Sequence, residues 1–382
     1  MNSSNLKTKL LSLTVTVESL LSTGCSPAEL EKQDGLVETA RYSPPIERSE
    51  TKFQFSRIGA SPFISRTPGT FYSRLVANPD VLEFKDNFYY FFRGQGESGH
   101  DEIGVWTKPA SDADGFNWNK TFSDPVIPVS LDKNAPDTDY ILDPAAIVFK
   151  DSIFVYYTAK SLKKQPNYSI ALAISSDGKK FEKFSGNPVL EGVIAPEIIA
   201  YEGQLHLFYQ RHNLVEDYWE VFSRTSTNGI DFDPASERRV FGPTRGTEGF
   251  DSYSVTTVRI FEENGYFYMT YGGCRKFLDY PESIGLARSK DLSHWERYPG
   301  NPIFSRGRAG EWDEGALWYA TVHKFNGQYL MWYEGAGSGM GLSTEEARRA
   351  SWLAREENYG GYLETSFSQI GVAIATGSLS DW

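Results

Sequence analysis

Beyond about residue 53 the chain alternates two kinds of short segment. In the first, an apolar run meets a brief polar turn and is followed by a run rich in Phe and Tyr. Copies lie at residues 78–90, 143–157, 195–209, 254–271 and 319–333, with turn pairs such as Lys150-Asp151, Glu202-Gly203, Asn264-Gly265 and Asn326-Gly327 between the runs. Apolar, β-branched and aromatic residues on both sides of a two-residue turn predict β-hairpins. In the second kind, a strand-like run leads to a Ser/Thr, Asp/Asn, Gly/Leu turn and then an aromatic residue. It recurs at residues 103–118, 170–181, 221–232, 284–295 and 370–382. Each pair of segments predicts four antiparallel strands, and the pair recurs five times at intervals of about 52 to 65 residues.

Repeats of this size and strand count predict an all-β fold, a five-bladed β-propeller with four antiparallel strands per blade. Several units continue past their aromatic residue into a further run, with Pro at Asn187-Pro188 and Asn301-Pro302. The fifth has no such run after Trp382. Residues 53–64 resemble residues 295–304 and are expected to supply it, so that the N-terminal strand closes the ring.

Composition narrows the function. The chain of 382 residues is 15% aromatic, which suits strands and sugar-binding surfaces. A net charge of −12 argues against nucleic acid or an anionic membrane as partner. Two cysteines, Cys25 and Cys274, make no disulfide framework, and no Cys/His cluster has zinc-ligand spacing, so no metal site is assigned. Lys7 and Lys9 precede an apolar run over residues 10–21 that ends in Ser22-Thr23-Gly24-Cys25, the pattern of an export signal of lipoprotein type. Residues 1–25 are therefore expected to be a signal peptide, 26–52 a polar tether and 53–382 the propeller domain. The expected location is periplasmic or at the cell surface, with membrane anchoring only through a lipidated Cys25.

In a propeller the first strand of each blade lines the central axis, so acids at its start are candidate chemistry. Asp80 and Glu197 stand four residues before the central aromatic of their repeats, and Asp143 stands two residues earlier in its own. A two-residue shift keeps the same strand face, so the three are expected to converge. Thr257 and Thr321 hold the corresponding place in the other units. Carboxyl groups around one cavity are what glycoside hydrolysis requires, one protonated and one ionised. Such acids also suit strand capping or a structural Ca²⁺ in the central channel; no other cofactor is required. Further candidates at the same end for binding a carbohydrate are Asn78, Arg93, Gln210, Arg211, His212, Tyr271 and Glu334, with Asp251 and Glu314 as alternative acids. A capping box from Ser343 to Glu346 predicts a short helix over residues 343–355 at the rim.

The repeats resemble the five-bladed propeller glycosidases, glycoside hydrolase family 43 and its relatives in families 32, 68, 117 and 130. The motif carrying the family 43 likeness is Asp143-Pro144. Asn78-Pro79, Asp143-Pro144 and Tyr333-Glu334-Gly335-Ala336 also resemble family 130. The first resemblance implies Asp80 as base or nucleophile, Asp143 as the group that tunes it and Glu197 as the acid. It also implies a His, here His323, near a central metal. The second implies a mannoside phosphorylase or hydrolase with Asp143 as the single proton donor. Three functions follow: a glycoside hydrolase, a phosphate-dependent glycoside phosphorylase, and a carbohydrate-binding propeller without catalysis.

Overall fold

The structure, a computed structural model, describes residues 53–112, 114–275, 278–308, 310–337, 368–379 and 382. The expected signal peptide with Cys25, the tether and the rim helix lie outside the described residues.

The described residues form an all-β fold. A short strand β1 (Gln54–Arg57) comes first. It is followed by β2 (Leu75–Phe84), β3 (Asn87–Gln95) and β4 (Asp101–Pro109), then β5 (Tyr140–Phe149), β6 (Ser152–Lys160) and β7 (Tyr168–Ser175). Two-residue strands β8 (Glu182–Lys183) and β9 (Leu190–Glu191) lie along β7. Next come β10 (Ile194–Tyr201), β11 (Gln204–Asn213), β12 (Tyr218–Ser226) and β13 (Arg238–Phe241). They are followed by β14 (Ser254–Glu263), β15 (Tyr266–Cys274) and β16 (Ser283–Ser289), edged by β17 (Glu296–Arg297) and β18 (Phe304–Ser305). The last are β19 (Ala316–Phe325), β20 (Gln328–Ala336) and β21 (Gln369–Thr376). Pairing within each run is antiparallel, and β1 pairs antiparallel with β21, from Gln54 opposite Thr376 to Arg57 opposite Ala373. One parallel bridge, Asp101 opposite Tyr140, joins β4 to β5, so the first two runs share an eight-stranded sheet.

The turns follow from the sequence. Asn264-Gly265 and Asn326-Gly327 both take positive φ at each position, as a two-residue turn matching the strand twist requires. The expected fourth strands are fragmentary. Their residues include Pro188 and Pro302, which have no N–H to give a ladder and so stand at sheet edges. Asn187 and Asn301 partly replace the missing pairing: each side chain accepts from and donates to a backbone position, Leu172 and Leu286 respectively.

The core lies between neighbouring sheets. Tyr90 and Phe88 of β3 meet Phe325 of β19 and Trp332 of β20, with the Tyr90 and Trp332 rings edge to face at 5.8 Å. Burying such rings contributes about 1.5–3 kcal/mol each, which is what the aromatic wealth does here.

Candidate active site

Each of the strands β2, β5, β10, β14 and β19 loses register once, and the break falls at the same place in each repeat. The shifts lie between Ala77 and Asp80, Leu142 and Ala145, Ile194 and Glu197, Thr256 and Arg259, and Trp318 and Thr321. The bulged residues Asn78, Asp143, Ala195, Thr257 and Tyr319 all have φ between 44° and 57°. Asn and Asp tolerate this left-handed region; β-branched Thr257 does so at a cost, with its N–H held by Gln210 Oε1.

These bulges divide the candidate residues into two tiers. The bulged residues line a cavity of about 580 Å³. So do Arg93, Thr158, Gln210 and Glu334, which sit opposite the residue just before each bulge. The fifth such position is Gly272. The residues two beyond each bulge do not line the cavity, and all but Ala145 reach sideways to neighbouring strands. Asp80 Oδ2 accepts the Ala146 N–H at 2.7 Å, and Glu197 Oε1 accepts the Ile260 N–H at 2.9 Å. The Arg259 guanidinium donates to Glu197 Oε2 at 3.1 Å and to the Pro144 carbonyl at 2.8 Å, and Thr321 Oγ1 donates to the Pro79 carbonyl at 2.6 Å. The three acids surround one buried Arg259 at two levels: Asp143 lines the cavity, while Asp80 and Glu197 flank the guanidinium beyond it. A bulge changes which residues share a depth, so the two-residue shift of Asp143 moves it to another tier. Thr257 likewise corresponds to Asp143, and Arg259 takes the place expected for it.

Within the cavity Asp143 is buried and receives hydrogen bonds from the Thr158 and Tyr319 hydroxyls. Burial pushes its carboxyl up, against the pull of Arg93. Glu334 accepts from Asn78 Nδ2 at 2.8 Å and from Ser368, and burial raises it to about 7, Arg93 opposing and Asp143 adding to the rise. Asp279 accepts from Trp318 Nε1 at 3.3 Å; burial, helped by Asp143, raises it to about 6. Arg93 itself is held by Asp101 through two bonds of 2.9 and 3.1 Å. Three carboxyl groups thus face one cavity with little free positive charge, an arrangement that keeps a proton available near neutral pH.

The remaining candidates separate. Gln210, Arg211 and His212 line the cavity, but Arg211 is fastened to Glu237 by two bonds and His212 to Asp217 at 2.9 Å. Tyr271 stands beside the Gly272 ring position. Strand alternation turns it into the sheet core, where its hydroxyl donates to Asp251. Asp251 is bound by Arg297 at 2.7 Å. Glu314 lies before β19 and outside the cavity lining, its carboxylate accepting the Gly310 N–H. His323 packs on Phe88 and Phe325, and burial lowers it to about 4. A Ca²⁺ between Asp80 and Glu197 does not fit the residues present, because Arg259 stands there. Among the described residues no group of three or more His, Cys, Asp or Glu side chains is arranged to hold a metal ion.

Sequence reasoning missed Thr158, Tyr319, Asp279 and Arg259. Aligning the repeats on their turns instead of their central aromatics places the first two and Arg259 in the rings. Asp279 sits in a loop with no repeat signal.

No family model and no curated protein matches the chain. Solved structures do. One comes from work on the GH130 family of mannoside phosphorylases, which contains glycoside hydrolases that target β-1,2-mannosidic linkages in Candida mannan. It is 16% identical, covers 87% of this chain and 96% of its own, and has a TM-score of 0.61. A glycosyl hydrolase from Bacteroides ovatus is 16% identical over 85% of this chain and 94% of its own, with a TM-score of 0.60. A thermostable family 43 glycoside hydrolase is 16% identical over 78% of this chain and 88% of its own, with a TM-score of 0.57. The likeness defines the fold as that of the glycosidase propellers.

Proposed function

We propose that the chain is a glycoside hydrolase on a five-bladed propeller closed by β1, with Asp143 as its acid. What supports the ring is the bulge repeated in five first strands and the pairing of β1 with β21. What carries the function is Asp143, the one acid among the bulged residues, buried at a cavity shared with Glu334 and Asp279. In this reading Asp143 holds its proton because burial disfavours the charge, and delivers it to the departing glycosidic oxygen. Asp279, which ionises at about 6, is the carboxylate that takes a proton from the attacking water. Asn78 keeps Glu334 in place. Asp80 and Glu197 act as ties between strands.

Phosphorolysis is the second reading, favoured by the single acid at a bulge and by the family 130 neighbour. A panel of aryl glycosides, with and without inorganic phosphate, separates the two. Asp143→Asn keeps the size of the side chain and removes its proton. Turnover should fall by about two orders of magnitude or more, with unchanged circular dichroism. Full activity of the variant would overturn the assignment.

A further inference from the structure

Among the described residues three Lys and Arg side chains line the cavity, and two are already committed. Arg93 is held by Asp101 and Arg211 by Glu237. Lys160 is different. It ends β6, is 9% exposed, and forms no ion pair or side-chain hydrogen bond among the described residues. Its ammonium lies over the rings of Tyr140, 5.1 Å from the centroid, and Tyr168, 4.8 Å away. Two aromatic faces steady the charge but satisfy none of its three N–H donors. An ammonium that lines a cavity, with none of its donors taken by a described side chain, is arranged to meet an acceptor that arrives from outside.

We propose that Lys160 binds the carboxylate of a uronic acid residue, so that the substrate is an acidic glycoside. This rests on the glycosidase reading and names its substrate class. The charge count among the described residues favours a monoanion over inorganic phosphate. A phosphate dianion calls for more than one free cation, whereas among the described lining residues Lys160 is the one Lys or Arg outside an ion pair, its charge is partly countered by Asp101, and Asp143, Glu334 and Asp279 face the same space. One ammonium matches one carboxylate. The Tyr168 ring beside it is also a cavity wall, against which the apolar face of a sugar ring can lie.

Direct binding tests this without any need for turnover. Calorimetry on the full chain carrying Asp143→Asn would compare glucuronate and galacturonate with glucose, galactose and inorganic phosphate. A uronate should bind about tenfold or more tightly than its neutral counterpart, and the preference should shrink as salt rises. Lys160→Met, which keeps the stem and removes the charge, should abolish the preference while leaving the neutral sugar unaffected. Lys160→Arg should keep most of it, which covers the case in which Lys160→Met does not fold. Equal binding of acidic and neutral sugars, absence of binding by either, or phosphate binding more tightly than any uronate would overturn the assignment. Uronate binding by a protein that cleaves no glycoside would sink the catalytic reading and leave this one standing.

Discussion

Replacing Glu334 by Gln should change how stability depends on pH, and the size follows from the site. Glu334 is 2% exposed, and burial moves its carboxyl from 4.5 to about 7. An acid whose pKa is raised by folding binds more protons in the native state than in the unfolded chain. Its contribution is therefore fully present below about 4.5 and is lost as pH rises through about 7. A tenfold change in proton affinity is worth about 1.4 kcal/mol, so between pH 5 and pH 8 the loss amounts to about 2.5 kcal/mol. Gln cannot ionise, and its amide oxygen can still accept from Asn78 Nδ2. The variant should therefore gain on the wild type by about 2.5 kcal/mol when the pH is raised from 5 to 8. Asp143, relieved of a neighbouring charge, would ionise more easily in the variant, which widens the gap in the same direction. Urea unfolding at the two pH values measures it; urea is preferred because guanidinium would screen the charges. A stability difference that stays constant with pH would refute the account of Glu334 as a buried acid held protonated.

Two further outcomes are expected. Arg259→Met should destabilise the fold by about 3–5 kcal/mol in urea unfolding, because it leaves Glu197 and Asp80 buried without their cation; a loss under about 1 kcal/mol would show that the guanidinium is not holding the tier together. A chain starting at residue 50 should be soluble, whereas one starting after Ile64 should aggregate, since it lacks Phe53 and Phe55 of the core and bares the edge of β21; equal solubility in a centrifugation assay would count against closure by β1.

The strands were legible because their signal is local. Asn264-Gly265 and Asn326-Gly327 can hardly be anything but two-residue turns, and the aromatic runs beside them need a buried face. The site was legible only in part, because a bulge leaves no local mark of its own. Asn78-Pro79, Asp143-Pro144 and Ala195-Pro196 share a Pro after the bulge, but Thr257-Val258 and Tyr319-Ala320 do not. Counting back from the central aromatic therefore set Thr257 level with Asp80, when the register sets Arg259 there. Ring positions such as Arg93, Gln210 and Glu334 were found because they end a recognisable strand. Asp279 depends on where a loop returns, which no periodicity encodes.

The two tiers also place the acids of these strands in different surroundings. Non-glycine residues in the left-handed region cost of order 1–3 kcal/mol each, and this fold places one in each of five strands around one cavity. Such strain persists only if the neighbouring backbone is held. Four of the five residues two places beyond the bulges do that holding: Asp80, Glu197 and Thr321 each fasten a backbone group of an adjacent strand, and Arg259 spans two carbonyls and a carboxylate. The polar groups of this tier hold backbone and one another, and burial pushes the carboxyls of Asp80 and Glu197 up, Glu197 to about 8, against the pull of Arg259. In the cavity tier Asp143 is partnered by hydroxyl groups that can donate to the carboxylate or accept from the acid. What separates the acid at the bulge from the acids beyond it is that it faces the cavity and has hydroxyl partners where they have backbone N–H groups.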